Sequence, residues 1–137
     1  MNCHGYKVIG IIKIEKIGLE YPIIELPSLD LMDKAMKISI SKFWGENVND
    51  IGNLTLAGHN NKDGTMFGKT KNLEIGDIIE LTDLNKKTIK YKIYNIFVTD
   101  PNDGRVINQD EEGVREVTLI TCTNGNKNRL ITKAREI

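Results

Sequence analysis

Short apolar runs rich in Val and Ile recur along this chain, separated by polar stretches with turn signals. Such runs read as β-strands. Tyr6–Lys16 is rich in Val and Ile and reads as a strand. Glu20–Leu26, EYPIIEL, reads as a second short strand, with Pro22 placing it at an edge or a start. Ser28 reads as the N-cap of LDLMDKAMK, with Asp30 in the first turn. Leu29, Met32, Ala35 and Met36 then fall at helical spacing, a stripe that suits core packing. Leu54–His59, LTLAGH, is a compact strand followed by the polar stretch NNKDGTMFGKTKN, in which Asp63-Gly64 signals a turn. Ile78–Leu84 and Thr88–Thr99 predict a hairpin around Asn85-Lys86-Lys87, and the second run is long enough to need a bend or bulge. Residues 100–115 form the longest polar connection, and loops of such length are usually functional or mobile. Glu116–Thr123 and Arg129–Ile137 close the chain as two strands joined by TNGNKN.

One or two short helices and about eight strands predict an all-β fold, a closed or nearly closed barrel. With no internal repeat, low-complexity tract or boundary in its 137 residues, the chain reads as one domain over 1–137.

Charge narrows the partners. Lys+Arg and Asp+Glu both number 19, so the net charge is zero. A duplex nucleic-acid partner favours a basic face, and no window suggests a basic tail, so nucleic acid is not expected. The longest early apolar run, residues 8–12, is stopped by Lys13. It is far shorter than the ~20 residues of a spanning helix and shorter than a signal-peptide core. The chain itself is therefore expected to be soluble.

The chemistry centres on three residues. Cys122 directly follows VTLIT. By its neighbours alone it reads as a small buried hydrophobe, but it also ends a strand where the chain turns into a polar Asn-Gly loop, and reactive thiols sit at such partly exposed places. If TNGNKN is the hairpin loop, Arg129 is directly opposed to Cys122. Opposed Cβ atoms lie about 4.5–5.5 Å apart, and a guanidinium there favours a thiolate or an oxyanion. The same register pairs Arg135 with Glu116 as a cross-strand ion pair, roughly 20 Å along the strand from Arg129. His59 ends its own apolar strand. If that strand runs parallel to 116–123, His59 and Cys122 share one rim. A lone His there is otherwise a structural residue. Cys3 sits in a frayed N-terminus, which makes a disulfide to Cys122 a poor expectation. Cys3 and His4 with the distant pair match no zinc spacing.

Taken together, LAGHN, then TLITC, then Arg129 in NRLITKA resemble the sortases of Gram-positive bacteria, over about Ile9 to Ile137. The spacer MFGKTKNLEIGDIIEL is similar to the family's segment after its histidine. The resemblance implies an eight-stranded sortase-type β-barrel with His59, Cys122 and Arg129 as catalytic residues. It implies cleavage of an LPXTG-like sorting signal between Thr and Gly through a thioacyl-enzyme. Transfer then goes to an amine, from a cell-wall precursor or a pilin lysine. By the same resemblance Thr121, Asn60, Val106 and Ile107 bind substrate. TLITC and the fairly short 100–115 connection are more similar to class D, or a related class, than to class B. The implied location is the outer face of the cell membrane and the wall. Membrane contact is then expected only through an N-terminal anchor segment absent from this chain. No cofactor is expected. Calcium is a further candidate at Asp110, Glu111 and Glu112, although a solvated loop explains that run and calcium needs six or more oxygens. A Cys–His hydrolase without transfer and an inactive sortase-like binding barrel are the competing readings.

Overall fold

The computed structural model describes residues 2–3, 6–25, 39–45, 47–60, 66–100, 114–123 and 127–137; at Asn2, Cys3, Tyr6, Trp44, Cys122 and Thr123 it describes the backbone alone. Among the described residues nine strands follow in chain order: β1 Asn2–Cys3, β2 Tyr6–Ile14, β3 Leu19–Glu25, β4 Ile40–Trp44, β5 Gly52–Ala57, β6 Ile78–Asp83, β7 Thr88–Thr99, β8 Arg115–Thr123 and β9 Asn128–Glu136. They form one sheet in the order β1-β2-β3-β4-β5-β8-β9-β7-β6. The sheet closes because β6 also pairs with β2, from Gly10↔Asp83 to Lys13↔Glu80. Strands β2 to β9 thus make a closed eight-stranded barrel, and β1 is a two-residue extension on β2. Closure removes the open edges that would otherwise recruit another strand.

The two-residue alternation fills the barrel. Ile12 and Ile14 from β2, Ile79 and Leu81 from β6, Tyr91 and Ile93 from β7 and Leu119 from β8 all point inward and are almost fully buried. Each buries enough apolar surface to contribute roughly 1.5–3 kcal/mol. Gly10 sits where β2 presses on β6: a Cβ there would lie 2.7 Å from the Thr82 carbonyl oxygen. The β2–β3 register also shifts between Val8 and Gly10.

Most of the expected strands are present with small boundary shifts. The first ends at Ile14, and Glu15–Ile17 form a 3-10 turn capped by Gly18 at φ +64. The expected hairpin joins β6 to β7: Asp83 Oδ1 accepts from the Asn85 and Lys87 backbone N–H groups at 2.9 and 3.0 Å. β7 carries the expected bulge, between Ile93 and Asn95, in its pairing with β9. Two strands were not expected. β1 lies in the N-terminus read as frayed, where Asn2 and Cys3 pair with Lys7 and Tyr6 of β2. β4 has only five residues and pairs with β3 at just Ile23↔Ile40 and Ile24↔Ser41. The expected helix after Ser28 lies outside the described residues. The stretch after His59 is less polar in space than in sequence, because Phe67 turns inward and is 1% exposed.

The end of the barrel where β5 and β8 begin is closed by Asn49, a buried residue at φ +67. Its Nδ2 donates to the carbonyls of Leu81 and Lys87, its Oδ1 accepts from the Tyr91 hydroxyl at 3.0 Å, and its own carbonyl accepts from Arg115 Nε at 2.7 Å.

Candidate active site

The opposite end of the barrel, where β5 and β8 finish, carries the residues singled out by sequence. β5 and β8 are parallel, in register from Gly52↔Arg115 to Ala57↔Ile120. The ladder runs one step beyond β5: the Gly58 N–H donates to the Ile120 carbonyl at 3.2 Å, and Thr121 Oγ1 donates to the Gly58 carbonyl at 2.8 Å. Continuing that offset brings the His59 backbone level with Cys122. On the other side of β8, the antiparallel ladder with β9 pairs Cys122 with Arg129 and Glu116 with Arg135. Both pairings follow the register expected from the TNGNKN loop. His59, Cys122 and Arg129 therefore occupy one row across three neighbouring strands, each step roughly 5 Å. Thr99 of β7 is opposite Arg129 and extends the row.

Local packing explains why His59 follows a glycine. A Cβ on Gly58 would lie 2.7 Å from Ile40 Cδ1 and 2.8 Å from Phe67 Cδ2. Only a bare backbone can cross the Phe67 ring at that distance, so the ring sets the depth at which His59 leaves the sheet. Phe67 is itself held there, since its N–H donates to the His59 carbonyl at 2.9 Å. Next to it Asn60 forms an isolated bridge with Met66, whose N–H donates to the Tyr21 hydroxyl at 2.9 Å. The chain after His59 is thus tied back to β3. His59 is half-buried and Asn60 exposed. Arg129 is half-buried, with one guanidinium N–H donating to the Asn128 carbonyl at 3.1 Å.

Thr121, expected to bind substrate, is 3% exposed, and its hydroxyl ties β5 to β8 through the Gly58 carbonyl. Val106 and Ile107 lie outside the described residues, as do Asp110, Glu111 and Glu112.

Two features beside the row were not legible as such in the sequence. Two positions back from His59 and Arg129, the register aligns Ala57, Ile120, Ile131 and Phe97 into an apolar row. Residues two apart on a strand share a face, so this row lies beside His59 and Arg129. The signal was the apolar character of strands such as TLITC, but the four residues come from four strands that only the register brings together.

Further along the same face lies a buried ionic cluster. The Glu116 side chain is 1% exposed. Its carboxylate accepts from Lys133 Nζ at 3.2 Å, the Tyr94 hydroxyl at 2.9 Å and Arg135 Nε at 3.1 Å. Lys133 Nζ also donates to Thr118 Oγ1, which donates to Asn53 Oδ1 at 2.6 Å. The Arg135 guanidinium stacks 4.3 Å from the Tyr94 ring centre. The Glu116 hydrogen bond raises the Arg135 pKa, and burial followed by that carboxylate pushes the Tyr94 phenol up to about 12. Arg135 is thereby committed to Glu116, which leaves Arg129 as the arginine of the Cys122 row.

Among the described residues no group of three or more His, Cys, Asp or Glu is placed to hold a metal ion. Nor is any described helix long and apolar enough to cross a membrane.

Comparison with known proteins agrees with this fold. Residues 12–137 match the family model of the sortase domain. The chain is 30% identical over 113 residues to sortase D of Bacillus subtilis, covering 82% of this chain and 53% of the relative. It thus spans about half the length of that curated relative. A solved structure of a sortase D5 transpeptidase from Clostridium perfringens is 36% identical, with a TM-score of 0.82 over 96% of this chain and 79% of that one. Sortase C-1 of Actinomyces oris shares the fold, with a TM-score of 0.82 at 24% identity over 96% of this chain and 73% of its own. The chain belongs to the sortase family and is class D-like.

Proposed function

We propose that the protein is a cysteine transpeptidase that cleaves an LPXTG-like sorting signal between Thr and Gly and passes the acyl group to an amine. The row His59–Cys122–Arg129 carries this reading. An unperturbed thiol is only a few per cent thiolate near neutral pH, so a cysteine nucleophile needs charged or basic neighbours. The row supplies one on each side. The Cys122 sulfur attacks the Thr carbonyl carbon, and the Arg129 guanidinium stabilises the oxyanion that forms. The C–N bond then breaks as His59 protonates the departing Gly amine, leaving a thioester on Cys122. An incoming amine gives its proton to His59 and attacks the thioester, which forms the new amide and frees the thiol.

The apolar row Ala57, Ile120, Ile131 and Phe97 supports a peptide lying beside the nucleophile, because it offers a shelf for aliphatic side chains of a sorting signal. Asn60, exposed next to His59, suits a contact to the peptide backbone. The reaction needs no cofactor. The acceptor is an amine of a cell-wall precursor or a pilin lysine, and the place of action is the outer face of the cell membrane and the wall. The family match and the likeness to the Clostridium perfringens transpeptidase support transfer over simple hydrolysis.

Product analysis tests this reading. The protein is incubated with a sorting-signal peptide, with and without an added amine such as triglycine. Transfer predicts faster turnover and a triglycine-linked product. Hydrolysed peptide as the sole product at every amine concentration would instead identify a hydrolase.

A further inference from the structure

We propose that the outer face of the β6–β7 hairpin docks on an anionic lipid surface. Lys86 and Lys87 are exposed in the turn, and Lys90 and Lys92 are exposed on β7. β7 alternates with Ile89, Tyr91 and Ile93 in the core, so Lys90, Lys92 and Tyr94 all project outward. Unlike Lys7, Lys13, Lys16 and Lys133, none of these four lysines makes an ion pair or a side-chain hydrogen bond among the described residues. The Asp83 carboxylate beside them accepts from the turn amides. β6 carries one further carboxylate, Glu80, opposite Lys90. A chain of zero net charge therefore carries a concentrated positive face.

Apolar side chains are interleaved with that charge. Leu84 at the hairpin tip is 55% exposed, and Ile78, opposite Lys92, is 36% exposed. A soluble polyanion would satisfy the lysines and leave these groups in water. An anionic bilayer satisfies both, since aliphatic groups enter the headgroup boundary while ammonium groups meet the phosphates. Strand addition by another protein is not available here, because β6 is paired with β2 and β7, and β7 with β6 and β9. The contact must use the face and not an edge. The lysines lie toward the end of β7 away from Thr99, which adjoins Arg129. Lys92 and Thr99 are separated by roughly 20 Å of strand, so docking leaves the Cys122 row open. The inference does not depend on the chemistry assigned to that row.

Vesicle sedimentation of the whole chain tests it. The protein should sediment with phosphatidylglycerol-containing vesicles, not with pure phosphatidylcholine vesicles, and salt should weaken the binding. Each lysine near such a surface contributes roughly fivefold, so the triple variant Lys87→Gln, Lys90→Gln, Lys92→Gln should bind about a hundredfold more weakly. A second variant, Ile78→Ser with Leu84→Ser, should also bind more weakly while keeping the salt dependence. Equal binding to both vesicle types would overturn the proposal. So would no binding to either, unchanged binding by the lysine variant, or binding to soluble polyphosphate without binding to vesicles.

Discussion

Arg129 stands directly opposite Cys122 in the β8–β9 ladder. The other arginine of β9, Arg135, gives its Nε to Glu116 and its guanidinium face to Tyr94. The two should therefore separate kinetically. Arg129→Ala should lower kcat/KM for a sorting-signal peptide by about a hundredfold or more, the scale of losing one oxyanion donor. Arg135→Ala should lower it by less than about tenfold and act through stability. Equal losses at both positions would break the assignment.

Gly58 sits under His59 against Phe67 and Ile40. Gly58→Ala puts a methyl where neither neighbour has room and should cost about 1–3 kcal/mol. It should also lower activity, because the strain falls one residue from His59. Phe67→Leu in the Gly58→Ala background should recover part of both losses. Thermal unfolding and peptide cleavage check this together, and an unchanged melting temperature for Gly58→Ala would contradict it.

Sequence singled out His59, Cys122 and Arg129 as candidates but not the reasons they share one row. The hairpin loop sets the Cys122–Arg129 pairing, so counting from TNGNKN was enough to find it. The parallel alignment of β5 with β8 depends on two strands more than fifty residues apart, so it could only be posed as a condition. β4 escaped because five residues with a register shift between Lys42 and Trp44 present too short an alternation. The Thr121 hydroxyl's bond to the Gly58 carbonyl was not legible, because adjacency in sequence says nothing about which partner takes a hydroxyl. Lys133 reads as an ordinary strand lysine until the register sets it opposite Thr118, beside Glu116.

The Glu116 cluster carries a stability prediction. Lys133 is 9% exposed at its side chain and relies on Glu116 for charge. Glu116→Gln should destabilise the protein by about 2–4 kcal/mol, since it strands a buried ammonium. Adding Lys133→Met should recover at least half of that loss. Urea denaturation of the four proteins in the cycle measures the coupling, and strictly additive losses would show that the pair is not coupled.

Alkaline pH probes the far end of the barrel. Burial, with the Glu136 charge second, pushes the Tyr91 phenol up to about 12, above its unfolded value near 10. The folded state then holds a proton that the unfolded chain has released. The stabilisation is complete below about pH 10 and is lost as pH rises toward about 12. Tyr94 contributes with the same sign. Tyr91→Phe should flatten this alkaline decline in part, at the cost of about 1–3 kcal/mol for leaving Asn49 Oδ1 without its donor. Denaturation midpoints across the alkaline range check the slope, and an equal slope in both proteins would contradict the assignment.

The account turns on Cys122 as the nucleophile in the row between His59 and Arg129. Intact-mass and peptide-level mass spectrometry of the protein, incubated with sorting-signal peptides and no amine acceptor, tests this most directly. The account predicts an acyl adduct that maps to Cys122, is released by added amine, and is missing in Cys122→Ala. An adduct on another residue, or peptide cleavage that persists in Cys122→Ala, would contradict it.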